Sequence, residues 1–299
     1  MFLSGLSNKE ELGVTHTHKE ILQQPKLWKK TYEYILSKRK QILSFIKAIE
    51  NKHESVKVIL TGAGTSAYIG ECIMPYLNKT CRGGVFHFNN IPTTHIVSNP
   101  YDYLDRETPT LMISFARSGN SPESIATVEL GRKIIKNFYE INITCNRDGY
   151  LAKGSNDTDS AMLLLMPEES NDQGFAMTSS FTSMMLAAIL LFKADRLEDY
   201  SDTIHTLSDL GEHIFQHDMK KIEAISKIPF TNIVYLGSGP LSGLSHEASL
   251  KMLELTRGNV NAVYESPLGF RHGPKSIIND ETLVVMFLSS DDYTQKYDL

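Results

Sequence analysis

Apolar positions along the first fifty residues fall at helical spacing: Ile21-Leu22, Leu27-Trp28, Tyr32, Ile35-Leu36, Ile42-Leu43, Ile46 and Ile49. Pro25 marks a break or a helix start within this run. From Val56 the pattern changes to short apolar runs, at 56–60, 85–88, 110–115, 140–145 and 161–166, each bounded by turn residues. Longer amphipathic or apolar stretches at 66–77, 121–138 and 178–192 lie between or after them and are predicted as helices. Strands alternating with helices predict a parallel sheet covered on both faces. The stretch 194–202 is charged and polar and is expected to be a linker. Beyond it the pattern predicts a helix over 204–228, a strand at 232–236, a helix over 241–257, an extended piece at 262–265 and a strand at 283–288.

The second half repeats marks of the first. The run into Gly62-Ala63-Gly64 recurs 175 residues later as the run into Gly237-Ser238-Gly239. The segment starting at Thr110 is matched 172 residues later by the one starting at Thr282. Two nearly equal offsets argue for a duplicated unit. The expected architecture is α/β, with two tandem doubly wound parallel-sheet domains behind a helical lead-in: 1–50 lead-in, 51–194 first domain, 203–299 second domain. Measured against the first copy, the second lacks at least two strands and their helices, so it reads as incomplete: a truncated chain, or one completed by another subunit. Each copy also offers a strand-to-helix turn of the kind that holds anions, which points to a phosphorylated small molecule.

Composition narrows the classes. The chain is 41% hydrophobic and 22% charged, as expected of a globular protein. A net charge of −5 without a basic stripe argues against nucleic acid as a partner. Lys26 to Lys30 and Lys38-Arg39-Lys40 read as solvated helix faces. Cys72, Cys81 and Cys145 show no metal spacing and cannot all pair. With no signal-peptide pattern and no apolar run long enough for a bilayer, the expectation is a cytoplasmic protein that does not enter membranes.

Gly62-Ala63-Gly64-Thr65-Ser66-Ala67 formally fits a dinucleotide fingerprint. The acid that should then close the second strand and hold a ribose is missing; Asn89-Asn90 stand there instead. No nucleotide P-loop is present. Ala116-Arg117-Ser118-Gly119-Asn120-Ser121-Pro122 is a sharper signal, since it places hydroxyls, a glycine and an arginine at a positive helix end. N-capping by Ser121 with Pro122 in the first helical position explains part of it equally well. Glu247, Lys251 and Glu254 form one stripe on the 241–257 helix, which taken alone reads as an exposed Glu–Lys face. His272 sits between residues that fix a turn, a setting that could hold an imidazole as proton carrier, whereas His16, His18, His53, His87 and His95 read as structural.

As an ordered set these motifs resemble the sugar isomerase (SIS) family of the tandem double type. They are similar to the isomerase half of glucosamine-6-phosphate synthase and closer still to the galactosamine-6-phosphate deaminase/tagatose-6-phosphate isomerase group. The resemblance rests on the lead-in Lys19 to Pro25, on Gly64-Thr65-Ser66, on Ser118-Gly119-Asn120-Ser121, on Gly174 to Thr178, on Glu247 to Glu254 and on His272-Gly273-Pro274. It implies that Ser66, Ser118 and Ser121 hold a sugar phosphate together with Thr178, with Gly64 and Thr65 in the same loop and Arg117 adding a positive charge. It implies Glu254 as the base moving a proton between C1 and C2, His272 as the group opening the ring, and Lys251 as an orienting or tuning residue.

Three departures stand out. Ala116-Arg117 replaces the synthase's serine-glutamine, Met177 replaces a small polar residue, and the family's C-terminal tail is absent from these 299 residues. The implied function is conversion of galactosamine 6-phosphate to tagatose 6-phosphate and ammonia, by a homo-oligomer needing no cofactor. Plain aldose–ketose isomerisation is the nearest alternative. A non-catalytic sugar-phosphate sensor is the rival of another class, and the Glu254/His272 pair argues against it.

Overall fold

The computed structural model describes residues 15–81, 83–154 and 158–299. The part of the expected lead-in before Thr15 lies outside them. Helix α1 (Thr15–Glu50) buries Leu27, Tyr32, Ile35, Ile42, Phe45 and Ile49 along one stripe. Pro25 lies inside this helix rather than at its start. It can offer no N–H to the carbonyl of Ile21, and the Gln24 side-chain amide donates there instead, at 3.3 Å.

The first sheet follows: β1 (Val56–Thr61), α2 (Thr65–Thr80), β2 (Phe86–Asn90), α3 (Thr93–Ser98), α4 (Pro100–Tyr103), β3 (Thr110–Ala116), α5 (Pro122–Ile134), β4 (Phe138–Thr144), α6 (Tyr150–Gly154), β5 (Ala161–Leu165) and α7 (Ser179–Leu191). The strands run in the order β2-β1-β3-β4-β5, and every pairing is parallel. Val58, Leu60, Leu111, Ile113, Ile141 and Ile143 face α1, α2 and α7, while Ile59, Met112 and Ala116 pack with Ile96, Val128 and Leu151 on the opposite face. The sheet is therefore doubly wound.

The expected helix over 121–138 ends at Ile134, and Phe138 opens β4. Ile134, Ile135 and Phe138 imitate helical spacing, but Phe138 folds back on Gly131, where an added Cβ would lie 2.5 Å from its ring. The expected linker forms a 3-10 turn, Ala194–Tyr200, packed on α1. Its charged appearance hides buried Ala194 and Leu197, and their carbonyls accept from Arg39 Nε and the Tyr32 hydroxyl.

Next come α8 (Ser201–His217) and α9 (Met219–Ser226), two helices parted at Asp218 where one was expected. The rest is β6 (Asn232–Leu236), α10 (Pro240–Thr256), β7 (Asn261–Glu265), α11 (Pro267–Phe270), β8 (Thr282–Met286) and α12 (Asp292–Asp298). These three strands form a second parallel sheet in the order β7-β6-β8. Helix α10 lies against α2. Gly243 permits this contact, since a Cβ there would meet the Cys72 backbone nitrogen at 2.6 Å. Val284, Leu288 and Leu255 of this second half are exposed.

Candidate active site

Strands β1 and β3 are neighbours, but the chain leaves them in opposite directions, to β2 on one side and β4 on the other. A crevice opens at such a switch point beyond the carboxyl ends of the strands, where open α/β sheets take their ligands. The loops after these two strands carry Gly64-Thr65-Ser66 and Arg117-Ser118-Gly119-Asn120-Ser121. Ser66 lies in the first turn of α2 and is buried. Among the described residues its hydroxyl meets only the weakly accepting Met177 sulfur, at 3.8 Å.

The second loop is fixed from both sides. The Ser118 carbonyl accepts from Asn146 Nδ2 at 2.9 Å, and Asn120 Oδ1 accepts from the Tyr150 N–H at 2.8 Å. Ser121 is the N-cap of α5, accepting from the Ser124 N–H at 3.4 Å, so the capping reading of this motif holds. The Ser121 hydroxyl in turn donates to Ser124 Oγ at 2.7 Å, which leaves the positive end of α5 beside exposed Ser118.

Arg117 turns away from a free position. Its guanidinium donates to the Gly174 carbonyl at 3.0 Å and ties this loop to the segment that precedes α7. Two buried carboxylates shape that segment, and motif reading missed both. Glu20 of α1 accepts the N–H groups of Gln173 and Gly174, at 2.6 and 3.0 Å. Asp172 accepts the N–H and hydroxyl of each of Thr178, Ser179 and Ser180. The Thr178 hydroxyl hydrogen is thus directed at Asp172, at 3.1 Å, and the N-terminus of α7 already has its anion. The signal in the sequence was an acid shortly before a Thr-Ser-Ser run. Phe175, at the tip, is 78% exposed.

The stripe on α10 is not a solvated face. The side chains of Glu247, Lys251 and Glu254 are 6%, 19% and 21% exposed, because α10 turns them towards α2. Lys251 is ion-paired with Glu254 and lies 3.4 Å from Glu247. Glu247 also accepts from the Thr65 hydroxyl at 3.2 Å, which joins the first glycine loop to the helix of the second sheet. Burial pushes the Glu247 carboxyl up to about 7, against the opposing pull of Lys251 and Thr65. Farther along the seam the His246 ring is stacked between Tyr68 and Tyr264, at 3.7 and 3.8 Å, with Nδ1 2.9 Å from Glu71.

The structure therefore brings Thr65, Lys251 and Glu254 to one seam and places Ser66, Ser118 and Ser121 at one sheet edge. His272 stands apart. It occupies an exposed turn after α11, its N–H donating to Gly269 O at 2.9 Å, next to Gly273 at φ 132°. Among the described residues, no three His, Cys, Asp or Glu side chains converge as metal ligands, and no helix is long and apolar enough to cross a membrane.

The model of the SIS domain family matches residues 53–194. The D-galactosamine-6-phosphate deaminase AgaS of Escherichia coli is 44% identical over 294 residues, spanning 95% of this chain and 73% of its own. The chain belongs to the SIS family. Another SIS relative, the D-galactosamine-6-phosphate deaminase AgaS of Shewanella sp. (strain ANA-3), is 43% identical and covers 96% of this chain and 73% of its own. Among solved SIS structures, the tagatose-6-phosphate ketose/aldose isomerase from Escherichia coli superposes with a TM-score of 0.86 at 43% identity, over 94% of this chain and 76% of that one.

Proposed function

We propose that this enzyme converts galactosamine 6-phosphate and water to tagatose 6-phosphate and ammonia. The observation that carries the reading is the shielded Lys251–Glu254 pair on α10, packed against the helix that begins at the Gly64-Thr65-Ser66 loop. The name shared by the 44% and 43% identical relatives supplies the substrate.

In this reading the sugar phosphate sits in the crevice beyond β1 and β3. Ser66 and Ser118 donate to it, Ser121 does so by turning its hydroxyl from Ser124 Oγ, and the ends of α2 and α5 add their positive dipoles. Arg117 and Thr178 act by holding the 172–178 segment over the site. His272 moves the proton that opens the ring. Glu254 takes the proton from C2 of the open-chain amino sugar and returns it to C1, while O1 gains a proton and the nitrogen loses one, so the C1 carbonyl becomes an alcohol and the double bond moves to the C2–nitrogen bond. Water adds to that imine carbon, nitrogen leaves as ammonia, and the C2 ketone remains. Lys251 orients Glu254 and offsets charge in its protonless form. One carboxylate near both carbons and one ionisable partner at the ring oxygen meet the chemical requirement.

Aldose–ketose isomerisation of a hexose 6-phosphate is a second reading, favoured by the Escherichia coli isomerase structure, and it uses the same base. The exposed position of His272 further supports a homo-oligomer in which this side chain serves a neighbour's site. Mixing Glu254→Gln with His272→Ala chains tests that arrangement: recovered turnover supports a shared site, and no recovery after proven subunit exchange rejects it.

The base assignment is tested by Glu254→Gln, which keeps the shape of the side chain and removes its basicity. Ammonia release from galactosamine 6-phosphate falls by about 10²–10⁴-fold, with little change in substrate affinity. Solvent deuterium incorporation at C1 falls in parallel. A variant with near wild-type turnover removes this mechanism.

A further inference from the structure

The mechanism above leaves one buried carboxyl at the seam without a task. Glu247 is 5% exposed; its Oε1 meets Thr65 and Lys251, while its Oε2 is buried without a hydrogen-bond partner. A single ammonium, that of Lys251, thus stands between two carboxyls, Glu247 one helical turn before it and Glu254 one turn after.

Two neighbours of Glu247 on α2, Tyr68 and Cys72, do not compete for its proton. From α2 it is faced by Thr65, Tyr68 and Cys72. Burial first, and the charges of Glu247 and Glu71 among the lesser causes, push Tyr68 and Cys72 up to about 12, so both stay neutral near neutral pH. Glu71 is paired with His246 of α10, and His246 is closed in by Tyr68 and by Tyr264 of β7.

We propose that Glu247 is a positioning residue which decides, by holding or releasing its proton, how much of the Lys251 charge reaches Glu254. This rests on Glu254 being the base. When Glu247 is ionised, it draws Lys251 towards itself, and Glu254 accepts the C2 proton more readily. When Glu247 is protonated, Lys251 turns wholly to Glu254, and the base is held in its charged form by the nearby cation. The Thr65 hydroxyl favours the ionised form of Glu247, so the phosphate loop and the base are linked through one side chain. The position of the Glu247 carboxyl at about 7 sets this exchange in the neutral range.

The test is the pH dependence of kcat and kcat/KM for ammonia release from galactosamine 6-phosphate, over about pH 5.5 to 9, for wild type and Glu247→Gln. Wild type gains rate through neutral pH. Glu247→Gln mimics the protonated acid, so that rise disappears from kcat, turnover at about pH 8 falls roughly 10-fold, and KM stays near the wild-type value. Glu247→Asp restores an inflection. A Glu247→Gln enzyme with a wild-type-shaped profile overturns the proposal, since a purely structural role changes the rate and not the shape.

Should Glu247→Gln fail to fold, Thr65→Val carries the test. Loss of that hydroxyl moves the inflection to higher pH, and an unmoved inflection, or a wild type without one, overturns the proposal. The base reading fails separately: it falls if Glu254→Gln keeps its turnover, whatever Glu247→Gln shows.

Discussion

Gly64 and Gly239 adopt nearly the same backbone, φ 54°, ψ −130° and φ 57°, ψ −127°, yet the turns they make face different partners. Only glycine takes this conformation readily. Close quarters repeat as well. An added Cβ at Gly62 would meet Ser66 at 2.6 Å, and one at Gly237 would meet Leu241 at 2.4 Å. The first turn continues into Thr65-Ser66, two hydroxyls and two N–H groups at a helix start. The second continues into Pro240-Leu241, which removes one N–H and both hydroxyls. The second turn also has a carboxylate of its own chain, because Ser238 donates to Asp298 at 2.9 Å. The expectation of an anion site in each copy thus meets two different settings: the loop geometry is duplicated, and the Thr-Ser pair after the second glycine is found at the first turn alone. What the second copy contributes is α10, with Glu247, Lys251 and Glu254.

The contact between the two copies gives the largest expected effect. Burial holds the Glu247 carboxyl at about 7, against 4.5 for an ordinary glutamate. Between those values the folded state binds a proton that the unfolded state has lost, so stability falls as pH rises through this window. The loss is complete above about pH 7 and absent below about pH 4.5. Glutamine removes the ionisation, so Glu247→Gln is more stable than wild type by about 3 kcal/mol at pH 8, and the gain vanishes towards pH 4.5. Urea unfolding at the two pH values checks this; a gain independent of pH contradicts it.

A smaller effect separates the turns themselves. Ser238→Ala removes the hydrogen bond to Asp298 and costs about 1 kcal/mol of stability, with KM and turnover unchanged. A large rise in KM for this variant would mean that the second turn also takes substrate.

Much of this was legible in the chain. Of the eight strands among the described residues, seven lie where short apolar runs predicted them and β7 lies where an extended piece was expected, since a parallel sheet covered by helices writes itself as such runs. The glycine and hydroxyl turns after β1 and β3 were legible too, as strand-to-helix turns, because glycine at the turn and a capping serine before Pro122 mark a helix start. What stayed hidden depends on partners distant in sequence. Asp298 answers Ser238 from 60 positions away, and Glu20 caps Gly174 from 154 positions away, neither within any local motif. The 194–202 stretch looked solvated, and so did the Glu247 stripe taken alone, for one reason: charged residues mark a solvent face only until another element packs on them. Leu197 and Glu247 are both buried by such packing.

The central claim is that the substrate's phosphate is held by the first turn and its neighbour loop and not by the second turn. Ligand-induced stabilisation measures this directly, with galactosamine 6-phosphate and galactosamine compared on wild type, Ser66→Ala and Ser238→Ala. At about a hundred times the dissociation constant, the phosphorylated sugar adds roughly 2.7 kcal/mol to wild type and to Ser238→Ala, and galactosamine adds nothing. Ser66→Ala loses a hydrogen bond to a charged group, about 1.5–3 kcal/mol, so at the same ligand concentration most of its stabilisation is gone. Equal stabilisation by the two sugars, or a Ser66→Ala response equal to wild type, would contradict the account.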